Sequence, residues 1–168
     1  MIEKTRCQWC GDKPVYIAYH DEEWGVPVTD DTKLFEFLTL EGAQAGLSWL
    51  TILNRREGYK KVFEGFNVEK ISRFTPKRIE NILGDTSIIR NRLKVESVVT
   101  NARAFLEIQK EFGSFYKYSW QFVGGSRKMN RWKKMEDIPA TTPESDAFSK
   151  DLKRRGFKFV GSTIMYAH

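Results

Sequence analysis

The chain has 168 residues, long enough for one domain with a sizeable hydrophobic core, and its only cysteines, Cys7 and Cys10, exclude a disulfide framework and suit a reducing compartment. Its 28 Lys and Arg against 22 Asp and Glu give a formal charge of +6, spread along the chain, which suits a polyanionic partner. No run approaches the roughly 18 apolar residues of a membrane span, and Met1–Arg6 is followed by no apolar leader segment, so a cytoplasmic protein without membrane contact is expected.

The first segment is dense in chemistry. Arg6-Cys7-Gln8-Trp9-Cys10-Gly11 precedes Tyr16-Ile17-Ala18-Tyr19-His20-Asp21-Glu22-Glu23-Trp24-Gly25. Cys7, Cys10 and His20 are ligand types for zinc, which usually wants a fourth ligand or a water, so the set is incomplete. A redox pair at Cys7 and Cys10 is the other reading of the spacing, although the flanking strand and helix of a thioredoxin-like motif are missing.

From residue 30 the pattern turns helical. Asp30 or Asp31 caps a helix with Leu34, Phe35, Leu38 and Ala45 at three- and four-residue intervals, and Glu41 falls near its end. Leu40-Glu41-Gly42-Ala43-Gln44-Ala45-Gly46-Leu47-Ser48-Trp49-Leu50 then reads as a turn. Ser48 caps a second helix carrying Trp49, Ile52, Leu53, Tyr59 and Val62. An unpaired ionised Glu costs several kcal/mol, roughly, to bury, so Glu41 must reach water, find a donor or await a ligand. The plainest of the three is a solvated helix end.

Beyond Phe66 the helices shorten. Thr75-Pro76 opens one that stops at Gly84, and Asp85-Thr86-Ser87 turns into a longer helix with Ile88, Arg92, Val95, Val98, Val99, Ala102, Phe105 and Leu106 at helical spacing. The pair resembles a helix-hairpin-helix, lacking the usual Gly-x-Gly. Its second helix would offer backbone N–H groups to a phosphate, with Arg90, Arg92 and Lys94 adding charge. Phe115, Tyr116, Tyr118, Trp120 and Phe122 read as core aromatics, and Gly124–Lys134 as a flexible basic loop, either plain solvated surface or a phosphate contact. Thr142-Pro143 starts a helix through Leu152, and Ser162–His168 opens a last one without a C-cap, as though the chain continued. Strand patterns are scarce, so the fold class is all-α. A middle helical lobe at roughly 30–112 would face a lobe from both termini, 1–29 and 113–168, within one domain.

Assembled in order, four blocks resemble 3-methyladenine DNA glycosylases of the helix-hairpin-helix base-excision repair superfamily. They are Tyr16-Ile-Ala-Tyr-His-Asp-Glu-Glu-Trp-Gly-Val-Pro, Leu40-Glu-Gly-Ala-Gln-Ala-Gly-Leu-Ser-Trp, Ile88-Ile-Arg-Asn-Arg and Lys153-Arg-Arg-Gly-Phe-Lys-Phe-Val-Gly. The resemblance covers nearly the whole chain and implies two helical lobes with the base pocket between them. It implies that Glu41, Trp49 and Tyr19 line that pocket with Trp24 and Tyr16 nearby, that Glu41 is the catalytic carboxylate, and that Gly46 and Leu47 approach the gap left in the DNA. It also implies a structural zinc on Cys7 and His20. The family's other two ligands, a His and a Cys, come from a C-terminal segment beyond the point where this sequence ends, and His168 precedes that segment. The catalytic Asp that other superfamily members place after the hairpin has no match here, as is also true of this family.

The expected function is therefore that of a monofunctional, monomeric glycosylase acting on double-stranded DNA with alkylated bases. It would release free 3-methyladenine and leave an abasic site. A different class, a non-enzymatic zinc-containing DNA-binding module with Glu41 in plain core, is the alternative. A zinc hydrolase fits less well, because two histidines, one of them terminal, do not assemble an open catalytic site with a general base.

Overall fold

The computed structural model describes residues 5–168; residues 1–4 of the Met1–Arg6 stretch, where no leader was expected, lie outside the described residues. The described residues form helices and no strands, and no helix is long and apolar enough to cross a membrane. The helices are α1 (Pro14–Glu22), α2 (Asp31–Gln44), α3 (Trp49–Leu53), α4 (Arg56–Val62), α5 (Val68–Ser72), α6 (Pro76–Leu83), α7 (Arg92–Phe112), α8 (Phe115–Trp120), α9 (Pro143–Arg154) and α10 (Ser162–Ala167).

Most helix starts follow from a side chain that answers an orphan N–H. Asp30 accepts from the Lys33 N–H at 2.8 Å, Thr75 from that of Arg78 at 3.2 Å, Asn91 from that of Lys94 at 3.1 Å, and Thr142 from that of Ser145 at 3.2 Å. Asp31 does something else. Its carboxylate accepts from the backbone N–H groups of Phe115 (2.8 Å) and Tyr116 (2.9 Å) and from the Gln109 amide (2.7 Å), tying the start of α2 to the start of α8.

The central helix α2 is buried along most of its length, from Leu34 to Ala43, and α7 packs its Val95, Val98, Ala102, Phe105 and Ile108 face into the same core. That core is one continuous cluster, running from Leu34 through Phe105 and Phe115 to Phe148, Val160 and Met165. The terminal and middle segments therefore share it. Asn101 of α7 locks the 157–161 segment by a reciprocal pair, donating to Lys158 O at 3.0 Å and accepting from Lys158 N–H at 2.8 Å. Phe159, at φ 56°, lies against Gly42, where a Cβ would come within 3.3 Å of Phe159 Cβ.

Three boundaries differ from the sequence expectation. Ala45 is not on the buried stripe of α2; it is the exposed residue that ends the helix. The single helix expected from Ser48 through Val62 is two, α3 and α4, broken at Asn54 and Arg55. Beyond the break, the Arg56 guanidinium meets Glu36 (2.6 Å) and both oxygens of Glu23 (2.6 and 2.8 Å), and Lys33 joins both acids at 3.0 Å. The Arg56 hydrogen bond, opposed by burial and helped by Lys33, holds Glu23 down at about 2. Finally, α7 begins at Arg92, and Ile88 is buried in the preceding turn rather than on the helix.

Candidate active site

Glu41 sits on the last turns of α2 with 7% of its surface exposed. This overturns the solvated helix end. Its Oε2 lies 2.9 Å from Nδ1 of His168, whose side chain is itself buried, while His168 Nε2 has no partner among the described residues. The next turn of chain opens to solvent. Gly46 takes φ 77°, which favours glycine, the Leu47 N–H donates to Gln44 O at 2.6 Å, and Ser48 caps α3 by accepting from the Thr51 N–H at 3.2 Å. Gly46 and Leu47 thus form an exposed tip beside the buried carboxylate.

Against α3 packs α1, whose Pro14 stands at its first turn and none of whose residues is fully buried. Trp9, Tyr16, Tyr19, Trp24, Glu41, Gln44, Trp49 and Ala167 line a cleft of about 170 Å³. All five residues that the resemblance put at the base pocket are brought together there. Trp9 packs on Tyr16 at 5.1 Å between ring centroids and edge-on to Trp24 at 5.2 Å, and Tyr19 meets Trp49 at 5.4 Å. Trp24 remains 45% exposed, at the mouth. The Trp49 indole N–H is buried without an acceptor among the described residues, a donor that a ligand's acceptor would satisfy.

The cleft is polarised towards positive charge. Burial first, then the neighbouring Glu41 and Glu23, push the Tyr19 phenol far above its usual range, so it stays a neutral donor. Tyr16 is raised likewise, by burial and then Cys10. A carboxylate enclosed by aromatic faces and neutral hydroxyls suits a flat, electron-poor ring with N–H groups at its edge.

Sequence reading passed over Trp9, Gln44 and His168 as site residues. Trp9 stands between the two cysteines, which drew attention to metal chemistry. His168 is distant in sequence from Glu41 and only the fold joins them.

The expected phosphate cations divide. Lys94 Nζ donates to Ala43 O (2.8 Å) and Ala45 O (2.6 Å), closing the C-terminal end of α2, and desolvation lowers its pKa. Arg92 is forked onto Glu80 at 2.7 and 2.9 Å. Only Arg90 of the three is exposed with no side-chain partner among the described residues. The hairpin start therefore carries less free charge than its sequence suggests.

The zinc expectation meets a partial donor set. His20 Nδ1 lies 3.0 Å from Asp21 Oδ1, which Arg6 also grips, and His20 Nε2 lies 3.3 Å from the Cys7 backbone nitrogen. A carboxylate on Nδ1 is the usual way to orient a zinc-binding imidazole. Among the described residues, however, no three His, Cys, Asp or Glu side chains group to hold a metal, and two donors do not make a tetrahedral site.

An all-helical chain with a helix-hairpin-helix and an aromatic cleft closed by a carboxylate has the architecture of the helix-hairpin-helix glycosylases. Residues 9–168 match the family model described as methyladenine glycosylase. The chain is 46% identical to DNA-3-methyladenine glycosylase 1 of Escherichia coli (strain K12) over 162 residues, covering 96% of this chain and 87% of that protein. Crystal structures agree. One of 3-methyladenine DNA glycosylase I superposes with a TM-score of 0.94 at 47% identity, over 97% of this chain and 90% of that one. A Tyr-to-Phe variant of 3-methyladenine DNA glycosylase I, in complex with 3-methyladenine, also gives 0.94, at 36% identity over 98% and 88%. The chain belongs to the methyladenine glycosylase family.

Proposed function

We propose that this protein hydrolyses the N-glycosidic bond of 3-methyladenine in alkylated double-stranded DNA, acting as a cytoplasmic monomer and leaving an abasic site. The observation that carries this reading is the buried Glu41 at an aromatic cleft. Methylation at N3 gives the base a positive charge that it loses as the bond breaks. Water adds at C1′, the bonding electron pair leaves with the base, the base departs neutral, and the proton from water goes to solvent. No acid is needed to drive the leaving group. The protein's work is to hold the extruded base, at an unstacking cost of a few kcal/mol, roughly, and to tell it from adenine. Tyr19 and Trp49 offer faces worth about 0.5–2 kcal/mol to a cation, and Glu41 accepts from the base edge while complementing its charge. Neutral adenine gains less from both.

Zinc belongs to this proposal only as a structural element. Cys7 and His20 would supply two of its donors, and no step of the reaction passes through it. A DNA-binding module without catalysis is disfavoured by the site itself, since plain core does not account for a buried carboxylate beside an orphaned indole N–H. Incubation with alkylated duplex and chromatography of the freed bases tests the proposal. Free 3-methyladenine appearing with enzyme turnover is expected. Binding to the duplex without its release would leave the non-enzymatic module.

A further inference from the structure

The segment between the 3-10 turn Gln121–Val123 and the 3-10 turn Met135–Asp137 has no regular structure and is exposed throughout. Between Ser126 and Lys134 it carries Arg127, Lys128, Arg131, Lys133 and Lys134 and no acidic residue. Two of these cations are engaged by acids, Lys128 by Glu144 and Lys134 by Glu136. Arg131 and Lys133 have no side-chain partner among the described residues, and they flank Trp132, which is 47% exposed, with Met129 also open to solvent. A half-exposed indole between two cations has the composition of a nucleic-acid contact, a stacking face flanked by charge for the backbone.

Two contacts place its start, one from Lys128 to Glu144 in the first turn of α9 and one beside the cleft. Arg127 donates to Gly25 O at 3.3 Å, and Gly25 follows Trp24, at the mouth of the cleft. The start of the loop therefore lies beside the mouth of the cleft, whose lining includes Gln44, two residues before the exposed Gly46-Leu47 tip. We infer that the 126–134 loop is a second DNA-binding surface, in which Arg131 and Lys133 contact phosphates of the duplex beside the cleft while Trp132 packs on the nucleic acid. It supplies cationic reach that the hairpin lacks, because Lys94 and Arg92 are already engaged. The inference rests on the proposed action on DNA, but not on catalysis.

The test uses a lesion-free duplex, so that it is independent of base release. Affinity is measured across a salt series for the full chain and for Arg131→Ala/Lys133→Ala, with melting temperature and affinity for free 3-methyladenine as controls. Two lost phosphate contacts lower the slope of log K against log salt by about 2, at unchanged melting temperature and base affinity. Trp132→Ala weakens binding several-fold with the slope retained. An unchanged slope in the double variant overturns the inference, whatever the result of the release assay. A chain that binds the duplex through this loop but frees no base overturns the glycosylase reading alone.

Discussion

His168 holds Glu41 from one side while Tyr19 keeps its own proton, and together they set what the cleft presents to a ligand. The histidine N–H satisfies a carboxylate that would otherwise be buried with an unmet acceptor, a loss of about 1–3 kcal/mol. His168→Ala should therefore lower stability by about that amount and weaken binding of 3-methyladenine, whereas His168→Gln, which keeps an N–H, should recover part of both. Thermal melts and titrations of the two variants check this, and equal behaviour of Ala and Gln would show that the hydrogen bond is not what places Glu41. At this scale it was the family resemblance that grouped Tyr16, Tyr19, Trp24, Glu41 and Trp49, which the fold brings to one cleft; local chemistry alone left Glu41 as a solvated helix end. His168 was not among them, because 127 positions separate it from its partner and no periodicity links them.

Helices are fixed by signals of differing range. Caps and breakers are local, so α2, α6 and α9 were legible from Asp30, Thr75-Pro76 with Gly84, and Thr142-Pro143, while α7 was legible from its apolar spacing and not from its cap, Asn91. The α3–α4 break was not, because its partners come from elsewhere: Arg56 answers Glu23 and Glu36, and Gly58 packs against the hairpin turn. A Cβ on Gly58 would stand 2.5 Å from the carbonyl oxygen of Ser87, a backbone atom that cannot step aside alone. Gly58→Ala should cost about 1–3 kcal/mol by displacing the hairpin, despite alanine's better helix propensity. Chemical denaturation would show it as a lower midpoint at an unchanged slope. A neutral or stabilising result would mean that α4 and the hairpin turn do not touch as described. Helix α1 was also illegible, since its apolar and aromatic run Val15–Tyr19 followed by His20-Asp21-Glu22 makes no single apolar face.

Over the whole molecule, the two termini and the middle helices are joined in one core, and the cleft opens where α1 and α10 meet the α2–α3 turn. The cleft is thus assembled by tertiary packing from segments that its sequence presents far apart. Basic charge is distributed in the same way. The hairpin cations are largely engaged, and Arg90, Arg131 and Lys133 remain exposed for a polyanion. The central claim is that Glu41 recognises the base through its charge, and Glu41→Gln isolates it, keeping shape and some hydrogen bonding while removing that charge. The most direct measurement is calorimetric titration of free 3-methyladenine into both proteins, with both melted. A charge-assisted hydrogen bond is about twice as strong as a neutral one, so affinity should fall about tenfold while the fold persists. Wild-type affinity in a Glu41→Gln protein with an unaltered melting temperature would contradict the account.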